Sequence, residues 1–227
     1  MLYSEEQVRA NIRNREGKRV FYLGRGDQLT SAARDWLNRE RIDIRPGEEA
    51  KTERYRLANG GYLEEKPEHM THLNGDVLVE KTHPRISFRG KMDTLEAELL
   101  LCQLEKQELV EPLGEILALA RQIIRCDVLE EPLQPGKLCG LTEEEQRKRS
   151  HFPQDYYGQT HFMPAVGDGS VILRLNRARC AAREAELAAA EAFSDREGNP
   201  TRVDILRALN RMSSMLYILM IQEKSKK

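Results

Sequence analysis

Apolar residues recur in steps of three and four from Met92 to the end of the chain, and this helical period constrains the fold more than any other feature. The clearest repeat is the stripe Val171, Leu175, Ala178, Ala182, Ala185, Ala189 and Phe193. Such a stripe faces a core, and its small residues let a neighbouring helix come close. The pattern predicts a mainly α protein whose centre is an antiparallel helical bundle.

Four long helices and one short helix are expected. The first carries Leu95, Leu99, Cys102 and Leu109 and is broken at Glu111-Pro112. The others are predicted at residues 113–124, 142–149, 170–193 and 201–222. Residues 150–168 contain two prolines and two glycines and are predicted to form a long loop, which in a compact domain is often functional.

The first 66 residues have a different pattern. Ser4 to Gln7 reads as a capping box, residues 19–23 as a strand and residues 55–63 as a hairpin. We therefore expect a small α/β N-terminal domain at 1–66, joined by a polar linker to the helical-bundle domain at 67–227.

The composition excludes several classes of protein. The net charge is -1 and no basic run occurs, which argues against a nucleic-acid partner. No apolar run approaches ~18 residues, and the N-terminus is not a signal peptide, so we expect no membrane span and a cytoplasmic location. The four cysteines are widely spaced, which is typical of reduced thiols.

The stretch Lys81–Leu99 concentrates charge. Pro84 and the alternation of Ile86 and Phe88 with polar residues predict an extended run, and Asp93 or Thr94 is expected to cap the following helix. Basic and acidic groups around a helix start could hold an anionic ligand, or could form local salt bridges in solvent.

The last two helices carry further polar residues. Asn176, Arg179, Arg183 and Glu186 form a stripe beside the apolar one, either as a solvated face or as a binding surface. The fourth helix is apolar nearly all round, so Asn210 and Ser213 are expected to be buried and to bond to neighbouring helices or to a ligand.

Several motifs resemble those of the ATP:corrinoid adenosyltransferases. The motifs shared with propanediol-type members are Lys81-Thr82-His83-Pro84-Arg85-Ile86 with Gly90 and Asp93, then Arg179, Arg183, Ala185 and Glu186, and then Leu209-Asn210-Arg211-Met212-Ser213. Those typical of the ethanolamine-utilisation (EutT-like) branch are Thr71-His72-Leu73, residues 124–133, Ser150-His151-Phe152-Pro153 and residues 204–211. The resemblance covers about residues 67–222.

The resemblance implies an enzyme that moves the 5′-deoxyadenosyl group of ATP to cob(I)alamin, giving adenosylcobalamin and triphosphate. It implies that Lys81, Arg85 and Arg183 hold phosphates, with Mg²⁺ near Glu186 and the nucleotide against Asn210. It also implies that Asp93 and Arg179 meet across a subunit interface of a homo-oligomer, either a trimer or a dimer. Phe162 is expected to displace the lower cobalt ligand, with His161 as the alternative.

The chain departs from the family patterns in two ways. It lacks the Thr-Gly-Asp-x-Gly phosphate loop of propanediol-type members, and no cysteine precedes Cys102, where many ethanolamine-type members carry a metal cluster. We therefore expect no transition metal, although His69, His72 and His83 leave a site open.

The implied partners are ethanolamine ammonia-lyase and microcompartment proteins, so the interior of a bacterial microcompartment is a second location to consider. Two other functions remain open: a non-catalytic scaffold or docking protein, and a different nucleotide hydrolase.

Overall fold

The computed structural model describes residues 1–15, 18–46 and 55–226. The chain divides into two compact units, Met1–Lys66 and Pro67–Lys227. No helix in the described ranges is long and apolar enough to cross a membrane.

The first unit contains short strands and two helices. Its described elements are β1 (Leu2–Tyr3), α1 (Glu5–Ala10), β2 (Arg13–Arg15), β3 (Lys18–Leu23), β4 (Gln28–Leu29), α2 (Ser31–Arg39), β5 (Asp43–Pro46), β6 (Tyr55–Leu57) and β7 (Tyr62–Leu63). β3 pairs with β2 in antiparallel and with β5 in parallel orientation, β1 pairs with β4 in parallel, and β6 and β7 form an antiparallel hairpin.

Local signals in the sequence account for this unit. Ser4 and Gln7 form the expected capping box of α1, and Thr30 caps α2 by accepting from the Ala33 N–H. The apolar sides of the two helices and of β3 meet in one core, which contains Val8, Phe21, Leu29, Ala33, Trp36, Leu37 and Ile42.

The second unit is helical apart from one hairpin. Its elements are β8 (Met70–Asn74), β9 (Val77–Glu80), α3 (Pro84–Gln103), α4 (Val110–Leu129), α5 (Glu143–His151), α6 (Pro153–Tyr157), α7 (Gly169–Ala192) and α8 (Val203–Ser225). The prediction of a mainly α fold with a small strand-containing region is confirmed.

The long helices run antiparallel to their neighbours. Three ion pairs join α3 to α7, and the residue numbers rise along α3 while they fall along α7. The pairs are Lys91–Glu184, Glu98–Arg177 and Glu105–Arg174. α4 lies on the other side of α3, and α8 packs on the other side of α7. The alanine stripe of α7 is fully buried in the bundle core, as its period predicts.

The predicted start of α3 is wrong. Helix α3 begins at Pro84, so Ile86 and Phe88 are helical and Asp93 lies in the third turn. Proline is favoured at the first helical position, and His83 Nδ1 caps the helix by accepting from the Arg85 N–H over 3.2 Å. Phe88 is fully buried and continues the helical stripe of Met92 and Leu95.

Two other boundaries also differ from the prediction. Pro112 does not break a helix, because it lies in the first turn of α4, where its missing N–H costs no hydrogen bond. The predicted loop at 150–168 holds the end of α5 and the short helix α6, which leaves 158–165 as its irregular part. Thr142 and Glu145 form a capping box at the start of α5.

Candidate functional site

Helices α7 and α8 present facing polar stripes. Arg179 and Glu186 on α7 lie opposite Tyr217 and Asn210 on α8. On each helix the two residues are seven positions apart, which is about 10 Å along the helix axis. The two contacts therefore mark the ends of one polar seam between antiparallel helices.

Tyr217 organises one end of the seam. The Arg179 guanidinium carbon lies 5.2 Å from the centroid of the Tyr217 ring, within the range of a cation–π contact. The Tyr217 hydroxyl is 3.0 Å from His161 Nδ1 and accepts from the Phe162 N–H over 3.4 Å. The rings of His161 and Phe162 stack beside Tyr217, with centroid distances of 5.7 and 6.3 Å. Tyr217 thus holds the predicted corrinoid residues against α8.

Glu186 and Asn210 form the other end. Asn210 Nδ2 donates to Glu186 Oε1 over 3.0 Å, and the Asn210 side-chain oxygen accepts from Arg211. Both side chains are partly buried, so the bond is protected from water on one side. The second oxygen of Glu186 accepts no hydrogen bond from the described residues, which leaves it available to a cation or a ligand donor.

Arg183 lies between these two ends, one turn beyond Arg179, and its side chain is exposed. Within the described ranges neither Arg179 nor Arg183 forms an ion pair with a carboxylate. Two uncompensated guanidinium groups beside one carboxylate are suited to a polyanion with a bound divalent cation. This face is the candidate site.

Lys81 and Arg85 lie at a different position, where β9 turns into α3. Lys81 is exposed. Arg85 is already bonded: Nε donates to Asp127 Oδ1 over 2.8 Å, Nη2 to the Asp127 carbonyl over 2.7 Å, and Nη1 to Glu130 Oε1 over 3.1 Å. The donors of Arg85 therefore serve the contact between α3 and α4.

Asp93 and Arg179 do not meet within one chain. Asp93 is exposed on α3, one turn beyond Arg89, which faces α4. Arg179 faces α8, and α7 packs on the opposite side of α3 from α4. Neither residue has a partner of opposite charge among the residues described. A contact between them requires a second subunit, and the predicted inter-subunit pair stays a prediction.

The histidines considered as possible metal ligands have other roles in the structure. His83 caps α3, and burial, followed by the charges of Arg85 and Arg89, lowers its pKa. His72 Nδ1 bonds to the Gly75 carbonyl over 3.1 Å. Across the ranges that the structure describes, no three His, Cys, Asp or Glu side chains come together as a metal site.

The sequence did not predict a role for three residues that form these contacts, which are Tyr217, Asp127 and Arg89. Tyr217 is on the same face of α8 as Asn210, and that spacing was the available signal. Asp127 is fully buried on the apolar helix α4, where it accepts from Arg85 and Arg89. An acid among apolar residues near the end of such a helix predicts a buried partner, but not which one.

Comparison with known proteins shows what the chain is similar to. The family model for cobalamin adenosyltransferase matches residues 61–223. The corrinoid adenosyltransferase EutT of Salmonella typhimurium is 38% identical over 162 residues, and that of Escherichia coli K12 is 37% identical over the same length. These alignments cover 71% of this chain and 61% of each relative. No solved structure gives a significant match.

Proposed function

The chain belongs to the cobalamin adenosyltransferase family, and we propose that it transfers the 5′-deoxyadenosyl group of ATP to cob(I)alamin. Since the chain spans about 61% of the length of the curated relatives, the activity is part of this proposal. The observation that carries it is the seam between α7 and α8. There Arg179 and Arg183 have no carboxylate partner among the residues that the structure describes, while Glu186 is bonded to Asn210.

The reaction forms one bond and breaks one. The electron pair of cobalt(I) attacks the 5′ carbon of ATP, the bond from that carbon to the triphosphate oxygen breaks, and triphosphate leaves with the electron pair. The corrinoid substrate is itself the nucleophile. The protein has to orient ATP, neutralise the departing triphosphate and control the axial ligands of cobalt.

In this proposal Arg183 contacts the triphosphate, since its side chain is exposed and forms no ion pair within the described ranges, and Lys81 supplies a second cation. Each charge-assisted contact contributes roughly 1.5–3 kcal/mol. Arg85 enters the proposal in a changed form. Its bonds to Asp127 favour a positioning role, in which it fixes the start of α3 and therefore the turn that carries Lys81.

Asn210 is proposed to contact the nucleotide, and Glu186 to hold Mg²⁺. The fit of Glu186 is favourable because one carboxylate oxygen is bonded to Asn210 and the other is not engaged by the residues described. Mg²⁺ commonly takes one or two carboxylates together with phosphate oxygens. When bound, it would neutralise part of the charge on the triphosphate.

The corrinoid is proposed to lie against the loop that precedes α7. We assign the displacement of the lower cobalt ligand to Phe162, because its ring has no atom that can coordinate cobalt. His161 remains the alternative, but its two ring nitrogens are engaged with the Tyr217 hydroxyl and the His151 carbonyl. Its use as a cobalt ligand would require it to give up one of these bonds.

The site is proposed to be completed in a homo-oligomer, where Asp93 of one subunit meets Arg179 of the next. The similarity to curated EutT proteins supports a further step: the product supplies ethanolamine ammonia-lyase, in the cytoplasm or inside a bacterial microcompartment.

An anaerobic assay with ATP, Mg²⁺ and chemically reduced cobalamin tests the proposal. We expect adenosylcobalamin and triphosphate in equal amounts. ADP and phosphate would identify a nucleotide hydrolase instead, and the absence of any product from folded protein would favour a scaffold. Either result would overturn the proposed transfer.

A further inference from the structure

A cavity of about 320 Å³ lies between α4, α5 and α8. α4 and α8 form its walls with the same spacing, from Glu115 to Gln122 and from Asp204 to Arg211. The segment Leu133 to Leu138 and the first turns of α5 close it. Its volume is within the range of small-molecule sites. None of the seam residues Arg179, Arg183, Glu186 and Asn210 lines it, but its lining residue Arg211 bonds to Asn210.

The cavity has a buried acceptor without a partner. Gln146 on α5 is 1% exposed, and its Nε2 donates to the Leu141 carbonyl over 2.9 Å. Its Oε1 is buried and accepts no hydrogen bond from the described residues. A buried amide oxygen is nearly always bonded in native proteins, so a donor from outside the described residues is needed here.

Arg211 provides a buried donor in the same state. One of its terminal nitrogens donates to the Asn210 side chain, while its Nε is buried without a partner in the described ranges. Burial, followed by the charge of Arg147, lowers the pKa of this guanidinium. An anion in the cavity would compensate for both effects.

The charged residues that line the cavity are three carboxylates, Glu115, Glu143 and Asp204, and three cations. Asp204 already accepts from Arg202 and from the Leu133 N–H, and Glu115 accepts from the Cys139 N–H. Arg207 reaches Glu143 only at 4.0 Å. Lys137 has no ion pair among the residues described. Among the described residues, the lining groups without a partner are therefore Arg211 Nε, the Lys137 ammonium and Gln146 Oε1.

We propose that this cavity binds a small organic anion that also carries a hydroxyl or amino donor, and that Arg211 links it to Asn210. The anion meets Arg211, Arg207 and Lys137, and the donor bonds to Gln146 Oε1. The site is independent of ATP and corrinoid, so its test does not depend on the proposed function.

The first test is calorimetric titration of the full chain, without ATP or corrinoid, with L-malate, glycerol 3-phosphate and succinate. We expect millimolar or tighter binding of malate or glycerol 3-phosphate, and weaker binding of succinate, which lacks the hydroxyl. Lys137→Glu should weaken binding at least tenfold. Lys148→Glu is the matched control, because Lys148 is an exposed lysine on α5 outside the cavity, and it should bind like the wild type.

A second variant fills the cavity. Gly136 lines the cavity and a Cβ there would meet no atom within 4 Å, so a side chain can start at this position, and Gly136→Phe should exclude the probe. The link to Asn210 is read from the side-chain amide signal of Asn210 in asparagine-labelled protein, which should shift when the probe binds. Circular dichroism verifies that each variant is folded.

Four results would overturn the inference. The first is no binding of malate or glycerol 3-phosphate, and the second is binding that survives both Lys137→Glu and Gly136→Phe. The third is binding that is lost in Arg183→Ala instead. The fourth is a crystal soaked with probe in which only an ordered water bonds to Gln146. Binding without a shift of the Asn210 amide would overturn the link through Arg211.

Discussion

Arg85 Nε donates to Asp127 Oδ1 over 2.8 Å, and this contact ties the start of α3 to the end of α4. The other carboxylate oxygen of Asp127 accepts from Arg89 Nε over 2.6 Å. Asp127 is fully buried, and the Arg85 and Arg89 side chains are 16% and 17% exposed. One buried anion therefore compensates two nearly buried cations.

Asp127→Asn should reduce the free energy of unfolding by about 3–5 kcal/mol, because among the described residues it leaves the desolvated Arg89 guanidinium without a counter-charge and leaves Arg85 with only the exposed Glu130. Glu130→Gln is the matched control. Glu130 also bonds to Arg85, but its side chain is 59% exposed, so its loss should cost no more than about 1 kcal/mol. Urea denaturation measures both. Equal losses of unfolding free energy in the two variants would show that the buried carboxylate of Asp127 stabilises the fold no more than the exposed carboxylate of Glu130.

The proposed pair of Asp93 and Arg179 is tested by a double-mutant cycle on activity and subunit association. Asp93→Ala and Arg179→Ala should each weaken both, since each leaves a charge without its partner at the interface. Exchanging the two residues should recover part of the loss. The coupling should appear only in the oligomer, because the residues lie on different faces of one chain. Additive effects in the cycle would mean that they do not meet.

The sequence was informative where one helix face decides the structure. The alanine stripe of α7 and the capping box of α1 were predictable because period and capping are local properties. The start of α3 was not, because Ile86 and Phe88 alternate with polar residues as a strand would. The segment is helical because Pro84 and His83 favour a helix start there and because the helix buries Phe88 against Phe193, whose ring centroid is 5.4 Å away.

Acid should act on stability through Asp204. Burial alone would raise its pKa, but hydrogen bonds from Arg202 and from the N–H groups of Leu133 and Ile205 outweigh it and lower the pKa to about 2. A carboxylate whose pKa is depressed in the folded state stabilises the fold above its unfolded pKa, 3.8, and loses that contribution as the pH falls through about 2.

The difference in unfolding free energy between wild type and Asp204→Asn should therefore be constant above about pH 5 and shrink between about pH 4 and pH 2. Denaturant titrations across this range measure it. A difference that does not change with pH would show that the hydrogen bonds of Asp204 do not stabilise the fold.

Activity should require Mg²⁺ but no resident transition metal. Residues 51–80 contain no cysteine, and the described residues bring together no metal-binding cluster. Elemental analysis should find no stoichiometric zinc or iron, and activity lost to EDTA should return with Mg²⁺ alone. Stoichiometric zinc or iron, whose removal abolishes activity and whose return restores it, would contradict this prediction.

The candidate site was predictable in its residues but not in its contacts. Arg179, Arg183, Glu186 and Asn210 could be named from helical spacing and motif. Their arrangement depends on which face of α8 meets α7. The bond between Tyr217 and His161 joins residues 56 positions apart. The bonds of Arg85 to Asp127 join residues 42 positions apart, and they change the expected role of Arg85. Such long-range pairs have no local signal in the chain.

The most direct test of the account is the initial rate of adenosylcobalamin formation under anaerobic conditions in wild type, Arg183→Ala and Arg174→Ala. Arg174 is the matched control, an arginine on α7 that pairs with Glu105 away from the seam. Loss of one charge-assisted contact of about 1.5–3 kcal/mol should slow Arg183→Ala by roughly 10- to 150-fold, with its stability nearly unchanged. Arg174→Ala should keep the wild-type rate. Equal rates in wild type and Arg183→Ala, or no adenosylcobalamin from the wild type, would contradict the account.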